Sequence, residues 1–282
     1  MAVKLIIDSA SDINEKEAQK LGITMLPMTI TFGEEEFLDG VNLLPEEFYA
    51  RLGSSEELPR TSQINSFRFE EEMAKHVANG DEVVVITISS KLSGTFNSAI
   101  QAAMNFDEKV YVVDSQSACA GERLLALYAL RLINEGKSAK EIADELEEKK
   151  QKLCVMAMID TLKYLKKGGR ISGAVAFAGS LLSLKPMVAV VDGEVKVIGK
   201  SMGLKKAIAF LNNSVEEKGG IDYSMPYCSI YSGMDTNNLK SFLEGSTHLW
   251  KDGIDSVEQY PLGGTIGTHI GPGAMGLAFF EK

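Results

Sequence analysis

Apolar runs of strand length alternate with amphipathic segments of helix length through the first half of the chain. Short runs rich in Val and Ile are typical of buried strands, whereas apolar positions three and four residues apart indicate helices. The pattern predicts strands near residues 3–7, 23–31, 83–88 and 110–114, and helices near 14–21, 45–52, 67–77, 93–104 and 124–133. This order predicts a mainly parallel sheet covered by helices on both faces.

The pattern changes after a Glu- and Lys-rich amphipathic stretch at residues 139–152, which we interpret as the last helix of a first domain. The later pattern predicts strands near 153–159, 188–191, 194–198 and 227–231, helices near 204–215 and 237–243, and terminal strand segments. Asp192-Gly193 between two apolar runs predicts a hairpin. We therefore expect an α/β protein with a layered N-terminal α/β domain, residues 1–152, and a C-terminal α+β domain, residues 153–282.

Composition and charge narrow the class of protein. Hydrophobic residues make up 45% and charged residues 24% of the chain, as in an ordinary globular protein with a sizeable core. The 39 acidic and 29 basic residues give a formal charge of -10, and no long basic run interrupts this balance. A nucleic-acid partner is therefore not expected.

Cysteine usage and the distribution of apolar residues indicate a cytoplasmic protein. Cys119, Cys154 and Cys228 have no metal-ligand spacing and leave an odd thiol under any pairing, which suits a reducing compartment. The chain opens directly into a strand pattern without the features of a signal peptide. The most apolar long stretch, residues 174–191, is interrupted by Lys185 and Pro186 and does not predict a membrane span.

The clearest candidate for chemistry is the strand, loop and helix unit that contains Ser93-Gly94-Thr95. A helix start leaves backbone N–H groups unpaired and carries the positive end of the helix dipole, so an anion can bind there beside the two hydroxyls. The same residue types also cap helices without binding any ligand. Both interpretations stay open from the residues alone.

Two other polar clusters allow similar alternatives. Asp8 and Asp12 follow the first predicted strand and are candidate metal ligands, although Ser11 or Asp12 starting a helix is the simpler interpretation. Thr61-Ser62-Gln63 is predicted to lie in a loop, where its hydroxyls either make a turn or face a ligand.

The Gly-rich tail contains the one histidine outside a charged or polar setting. The segment 263–276 is predicted to be a loop whose glycines serve close backbone approach or positive φ, and His269 lies within it. An imidazole there could orient a carboxylate or activate a hydroxyl. Gly271, Gly273 and Gly276 match G-x-G-x-x-G, but too few residues follow for a crossover helix, so we reject a dinucleotide site.

Five motifs together resemble the DegV family. In chain order they are Asp8 to Asp12, Thr61-Ser62-Gln63, Ser89 to Thr95, Gly168-Gly169-Arg170, and Gly267 to Gly273. The resemblance covers essentially the whole chain and implies a cytoplasmic, two-domain protein that binds one long-chain fatty acid between its domains. Some members are the fatty-acid-binding subunit of bacterial fatty acid kinase, which presents the acyl carboxylate to a separate ATP-dependent kinase protein.

The resemblance also implies the roles of individual residues. Thr61, Ser62, Ser93, Gly94 and His269 would surround the carboxylate, and Arg170 would lie at the pocket mouth or on the surface facing the kinase. No catalytic residue, metal or cofactor is implied, and transient contact with a membrane surface is compatible with this role. Ile64 stands where members of the family often have Pro.

The lipid tail would need apolar lining. The small-residue stretch 171–184, with nearby Met156, Met158 and Met187, is a candidate for that tunnel, although ordinary core packing explains the same pattern. Burial of the tail would supply most of the affinity.

Two alternatives compete with lipid presentation. One is an acyl hydrolase with Ser93 as nucleophile, His269 as base and Asp8 or Asp114 as orienting group, although Ser93 is not in a G-x-S-x-G elbow. The other is a sugar- or phosphate-binding regulatory module, because the same helix start accepts other anions. The chain has no G-x-x-x-x-G-K loop for ATP.

Overall fold

The computed structural model describes residues 2–171 and 184–282 of the 282-residue chain. The strands are β1 (Val3–Asp8), β2 (Thr24–Leu26), β3 (Thr29–Phe32), β4 (Glu35–Leu38), β5 (Arg60–Ser62), β6 (Glu82–Thr87), β7 (Val110–Asp114), β8 (Leu153–Met158), β9 (Leu184–Val191), β10 (Glu194–Met202), β11 (Cys228–Tyr231), β12 (Gln259–Pro261) and β13 (Met275–Phe280). The helices are α1 (Glu15–Leu21), α2 (Pro45–Ser54), α3 (Ser66–Ala78), α4 (Thr95–Ala103), α5 (Ala120–Asn134), α6 (Ala139–Lys149), α7 (Lys163–Gly168), α8 (Leu204–Glu217), α9 (Asn237–Gly245) and α10 (Gly264–Ile270).

The first half of the chain forms the parallel sheet that its pattern predicts. Its strand order is β2-β1-β6-β7, and every neighbouring pair is parallel. The central strand β6 is buried from Val83 to Thr87, which is why its sequence is a continuous apolar run instead of an alternating one.

The second half forms a separate mixed sheet of six strands in the order β10-β9-β8-β13-β11-β12. Its pairs are antiparallel except β11 with β12. The predicted hairpin is confirmed as β9 and β10, which are longer than expected. Asp192 and Gly193 both have positive φ, 53° and 80°, the conformation that a tight two-residue hairpin requires.

A third sheet corrects the prediction of one strand at residues 23–31. That segment divides into β2, at the edge of the parallel sheet, and β3, which pairs with β4 and β5 in a small antiparallel sheet. Pro27 lies between them and has no N–H to continue a ladder. Thr61 and Ser62, predicted to lie in a loop, belong to β5 at the edge of this sheet.

The Asp8 to Asp12 cluster does not start helix α1. Asn14 does so, because its side chain accepts the Glu17 N–H at 3.0 Å. Asp8 instead accepts N–H groups of Ala10 and Ile88, at 2.9 and 2.8 Å, and so ties the end of β1 to the end of β6. Among the described residues, no group of three or more His, Cys, Asp or Glu side chains could hold a metal ion.

Helix α5 joins the two large sheets. It contacts β1 and β6 of the parallel sheet and β8 and β13 of the mixed sheet, so one apolar cluster runs from Ile7 through Leu125 to Ala278. The predicted division at residue 152 coincides with the step from α6 to β8, and it stays a prediction. None of the helices in the described part of the chain is long and apolar enough to cross a membrane.

Candidate functional site

A cavity of about 240 Å³ lies between the carboxyl ends of the parallel strands and the mixed sheet. The loop after β6 contributes Ile88, Leu92, Ser93 and Gly94, and the segment after β7 contributes Ala118 and Cys119. The cavity therefore lies where parallel sheets generally bind their ligands, outside the carboxyl ends of the strands.

The body of the cavity is apolar. The described residues that make this lining are Met28, Ile88, Leu92, Ala118, Cys119, Val155, Met156, Ala157, Leu165, Val188, Ala189, Val190, Val195, Ile230, Leu262, Ile266 and Ile270. Met156 was expected there, whereas Met158 and Met187 instead pack in the core beneath α8 and α9. The stretch 172–183, most of the proposed tunnel lining, lies outside the described residues.

One end of the cavity is polar, and there the structure brings together all six residues singled out in the sequence. Thr61, Ser62, Ser93, Gly94, Arg170 and His269 all border the same space. Thr61 Oγ1 and His269 Nε2 lie 3.0 Å apart and share a hydrogen bond across 208 residues of sequence. Burial, and to a smaller extent the positive charge of Arg170, lowers the pKa of His269 to about 4. The imidazole is therefore neutral at pH 7.

Ser93 stands just before helix α4. Its hydroxyl oxygen accepts the Thr95 N–H at 3.3 Å and shares a 2.9 Å hydrogen bond with Thr95 Oγ1. The capping interpretation is thus realised, and the same hydroxyl still borders the cavity. Because α4 begins here, its positive dipole end points toward the polar end of the cavity.

Gln63 and Ile64 fix how β5 meets this helix. A Cβ on Gly94 would come within 2.0 Å of Gln63 Oε1, so any other residue would displace the Gln63 amide, which donates to Ser98 Oγ at 3.1 Å. The Ile64 N–H donates to Thr95 Oγ1 at 3.4 Å, a bond that Pro could not make.

Arg170 and Gly168 lie beside His269. The Arg170 Nε–H donates to the Leu92 carbonyl at 3.2 Å, and an Nη1–H donates to the Gly168 carbonyl at 2.6 Å. A methyl group on Gly168 would come within 2.2 Å of His269 Nδ1. The Gly168-Gly169-Arg170 motif therefore serves close packing against the histidine, and Gly169 ends α7 with φ of 67°.

His269 does not lie in a loop, as predicted, but in the last turn of helix α10. The start of this helix is capped by residues distant in sequence. Asp39 accepts the Gly264 and Thr265 N–H groups at 3.0 and 3.2 Å, and Asp12 accepts the Gly263 N–H at 2.7 Å. Sequence reasoning missed both roles because nothing near Gly263 signals a helix start. Desolvation raises the pKa of Asp12 and of Asp39, which are buried beneath the helix.

Comparison with known proteins adds the family. The family model described as "Uncharacterised protein, DegV family" matches residues 2–282. The chain belongs to the DegV family. A DegV domain-containing protein from Clostridium perfringens is 38% identical over 222 residues, 76% of each chain.

Solved DegV structures share the whole fold. A DegV family protein from Thermus thermophilus, described as fatty acid binding, is 30% identical with a TM-score of 0.88. DegV from Bacillus subtilis, described as a fatty acid binding protein, is 31% identical with a TM-score of 0.83. Each comparison covers all of both chains, so the mixed α/β architecture described above is that of DegV proteins.

Proposed function

We propose that this protein binds one long-chain fatty acid, with the tail in the apolar cavity and the carboxylate at its polar end. The observation that carries the proposal is the meeting of an apolar cavity with Thr61, Ser93, Gly94 and His269 at one end. The fatty-acid binding of the Thermus thermophilus and Bacillus subtilis relatives supports it.

Burial of the tail would drive binding. Each methylene removed from water contributes about 0.8 kcal/mol, so a sixteen-carbon acid offers on the order of 10 kcal/mol before the costs of immobilisation. The lining offers this tail only a few polar atoms, because most of it comes from Val, Ile, Leu, Met and Ala side chains. A hydrophilic sugar would gain little there.

The head group would receive directed hydrogen bonds. A carboxylate only accepts hydrogen bonds, so its arrival favours the arrangement in which His269 Nε2–H donates to Thr61 and the Thr61 hydroxyl donates to the ligand. The Ser93 hydroxyl and the start of α4 add a second donor and a favourable dipole. A neutral His269 suits this role, since it leaves the donation to hydroxyls instead of burying a second charge.

We further propose that the bound carboxylate is presented to a separate ATP-dependent kinase, which makes the acyl phosphate. Arg170 borders the apolar cavity at its polar end and is partly exposed, so it is placed to meet that partner. In this scheme the chain supplies binding and orientation, and the phosphoryl chemistry belongs to the partner.

The geometry gives the hydrolase alternative less support. His269 Nε2 bonds to Thr61, while the Ser93 hydroxyl bonds to Thr95. Among the described residues, His269 Nδ1 has no partner, and Asp8 and Asp114 accept backbone N–H groups elsewhere. A Ser-His-Asp relay would need both connections. A serine-reactive fluorophosphonate that labels the wild type but not Ser93→Ala, together with ester turnover, would favour the hydrolase.

Native mass spectrometry of the freshly purified protein tests the ligand directly. We expect a one-to-one mass excess that denaturing extraction identifies as a long-chain fatty acid. If neither an adduct nor binding of added palmitate or oleate is detected, the lipid proposal fails.

Removing the Ser93 hydroxyl tests the head group. We expect Ser93→Ala to weaken palmitate binding about tenfold, the value of one charge-assisted hydrogen bond, without unfolding the protein. Ser90→Ala is the matched control, because Ser90 lies in the same loop but outside the cavity lining. Titration calorimetry of both variants checks this, and equal affinities would remove Ser93 from the site.

A further inference from the structure

Helix α10 brings His269 to the polar end of the cavity, and it has only seven residues. A helix of two turns makes too few internal hydrogen bonds to be stable alone, so its place in the molecule depends on contacts from other elements. Its side chains Ile266 and Ile270 also border the cavity. Residues that fix the two ends of α10 therefore also fix the position of His269.

The start of α10 is held by Asp39, whose side chain is buried. Its two carboxylate oxygens accept the N–H groups of Gly264 and Thr265 at 3.0 and 3.2 Å. The Asp39 N–H donates to the Met28 carbonyl at 3.0 Å, and Met28 is part of the cavity wall. Asp39 itself is not one of the described lining residues. Since seven helical residues span about 10 Å, Asp39 acts on His269 from the opposite end of the helix.

The end of α10 is held by Ser232, which is 1% exposed. Its hydroxyl donates to the Gly271 carbonyl at 2.7 Å and accepts the Ala274 N–H at 2.8 Å. These two bonds fix the turn that follows His269. Ser232, like Asp39, is not one of the described residues that line the cavity.

We infer that Asp39 and Ser232 are positioning residues of the head-group site, an inference that rests on the proposed function. By holding the two ends of α10 they place His269 Nε2 within hydrogen-bond distance of Thr61, whose hydroxyl then donates to the carboxylate. Hydrogen bonds weaken steeply when their geometry is disturbed, so a small shift of α10 would cost this donor. Selection of a free fatty acid over a neutral lipid with the same tail therefore depends on two residues outside the cavity lining.

The test compares palmitate with methyl palmitate on the full chain, by displacement of a fluorescent fatty acid. We expect Asp39→Asn to weaken palmitate binding about tenfold and methyl palmitate binding less than twofold. The amide replaces one of the two acceptor oxygens with a donor, so one N–H at the start of α10 loses its partner. Ser232→Ala removes the bond to Gly271 and should weaken palmitate binding about fivefold, again with the ester affinity kept.

The imidazole of His269 gives a second readout. Its pKa is about 4 because burial disfavours the charged form. If α10 is loosened, water reaches the ring, and the pKa should rise toward the ordinary 6.5 in Asp39→Asn. An NMR titration of the imidazole signals measures this pKa, and His269→Gln identifies the signal of His269 among those of the three histidines.

Asn14→Ala is the matched control. Asn14 caps α1, which also has seven residues, and none of them lines the cavity. The variant should lose stability but keep both affinities and the low pKa of His269. In a His269→Gln background, Asp39→Asn should weaken palmitate binding less than twofold further, because the residue through which it acts is absent.

The outcomes separate the two proposals. If palmitate does not bind the wild type, the proposed function fails. If it binds but both variants retain the wild-type affinity, or weaken palmitate and its ester equally, the positioning inference alone is overturned. A full tenfold effect of Asp39→Asn in the His269→Gln background overturns it as well. Should one of the two variants fail to fold, the other decides by the same comparison.

Discussion

At the scale of single residues, burial of His269 makes the stability of the folded protein depend on pH. Its pKa is about 4 in the folded protein and near 6.5 in an unfolded chain, chiefly because burial disfavours the imidazolium. Between these values the unfolded state binds more protons, so acid shifts the equilibrium toward unfolding. The stabilising contribution is complete above pH 6.5 and is lost as the pH falls to 4.

A comparison with His269→Gln isolates this effect. Glutamine keeps a polar group beside Thr61 but does not titrate. The free energy of unfolding of the variant, relative to that of the wild type, should therefore rise by about 3 kcal/mol as the pH falls from 7.5 to 4. Asp8, whose pKa burial raises to about 7, titrates in both proteins and cancels. Urea unfolding at several pH values measures the difference, and parallel curves would mean that His269 is not buried as described.

At the same scale, the sequence could single out candidate residues but not their neighbours in space. Thr61, Ser93 and His269 were singled out through the family resemblance, because their residue types alone left capping and turn roles open, and the structure places all three at one cavity. Cys119 looked like a core residue, and it is one, but it also borders the cavity.

At the scale of elements, helix α10 shows how glycine can be mistaken for a loop signal. Gly264 and Gly267 both lie inside the helix, where close packing explains why they are glycines. A Cβ on Gly267 would come within 2.5 Å of Phe48, and one on Gly264 within 2.4 Å of Ile30. Helix propensity disfavours such a segment, but close packing on α2 and β3 overrides it. The caps from Asp12 and Asp39 come from more than 220 residues away, so no local pattern could reveal them.

Gly267→Ala tests that account. The added methyl must displace Phe48 or the Tyr49 hydroxyl, so we expect a loss of about 2–4 kcal/mol in unfolding free energy and weaker palmitate binding through the shift of His269. Gly53→Ala in α2 is the matched control. No atom lies within 4 Å of its added methyl, so helix propensity should leave the protein unchanged or up to about 1 kcal/mol more stable. Thermal and urea unfolding measure the stability of both variants, and calorimetry measures their palmitate affinity. If Gly267→Ala is as stable as the wild type, close packing is not the reason for this glycine.

At the scale of the whole molecule, the order of elements could be predicted but the cavity could not. Buried strands and capped helices can be predicted from the sequence, because burial and capping restrict the residue types at nearby positions. The cavity instead arises where the ends of β6 and β7 face β8 and β9, and its walls come from most of the chain. Whether small side chains leave an open space, or neighbouring side chains fill it, depends on how these strands pack together in three dimensions. Met156 therefore lines the cavity, while Met158 does not.

Under the proposed function, a lipid in the cavity would stabilise both sheets, since either sheet alone provides only part of the lining. Palmitate at a hundred times its Kd should add about 2.7 kcal/mol to the free energy of unfolding. This gain corresponds to a rise of about 5 °C in Tm for a chain of this length. Methyl palmitate has the same tail but no carboxylate, so it should raise Tm less, and inorganic phosphate should change Tm by less than about 1 °C. A thermal-shift series with the three ligands separates the contributions: equal shifts for palmitate and its ester would remove the head-group site, whereas a shift with phosphate alone would favour an anion-binding module.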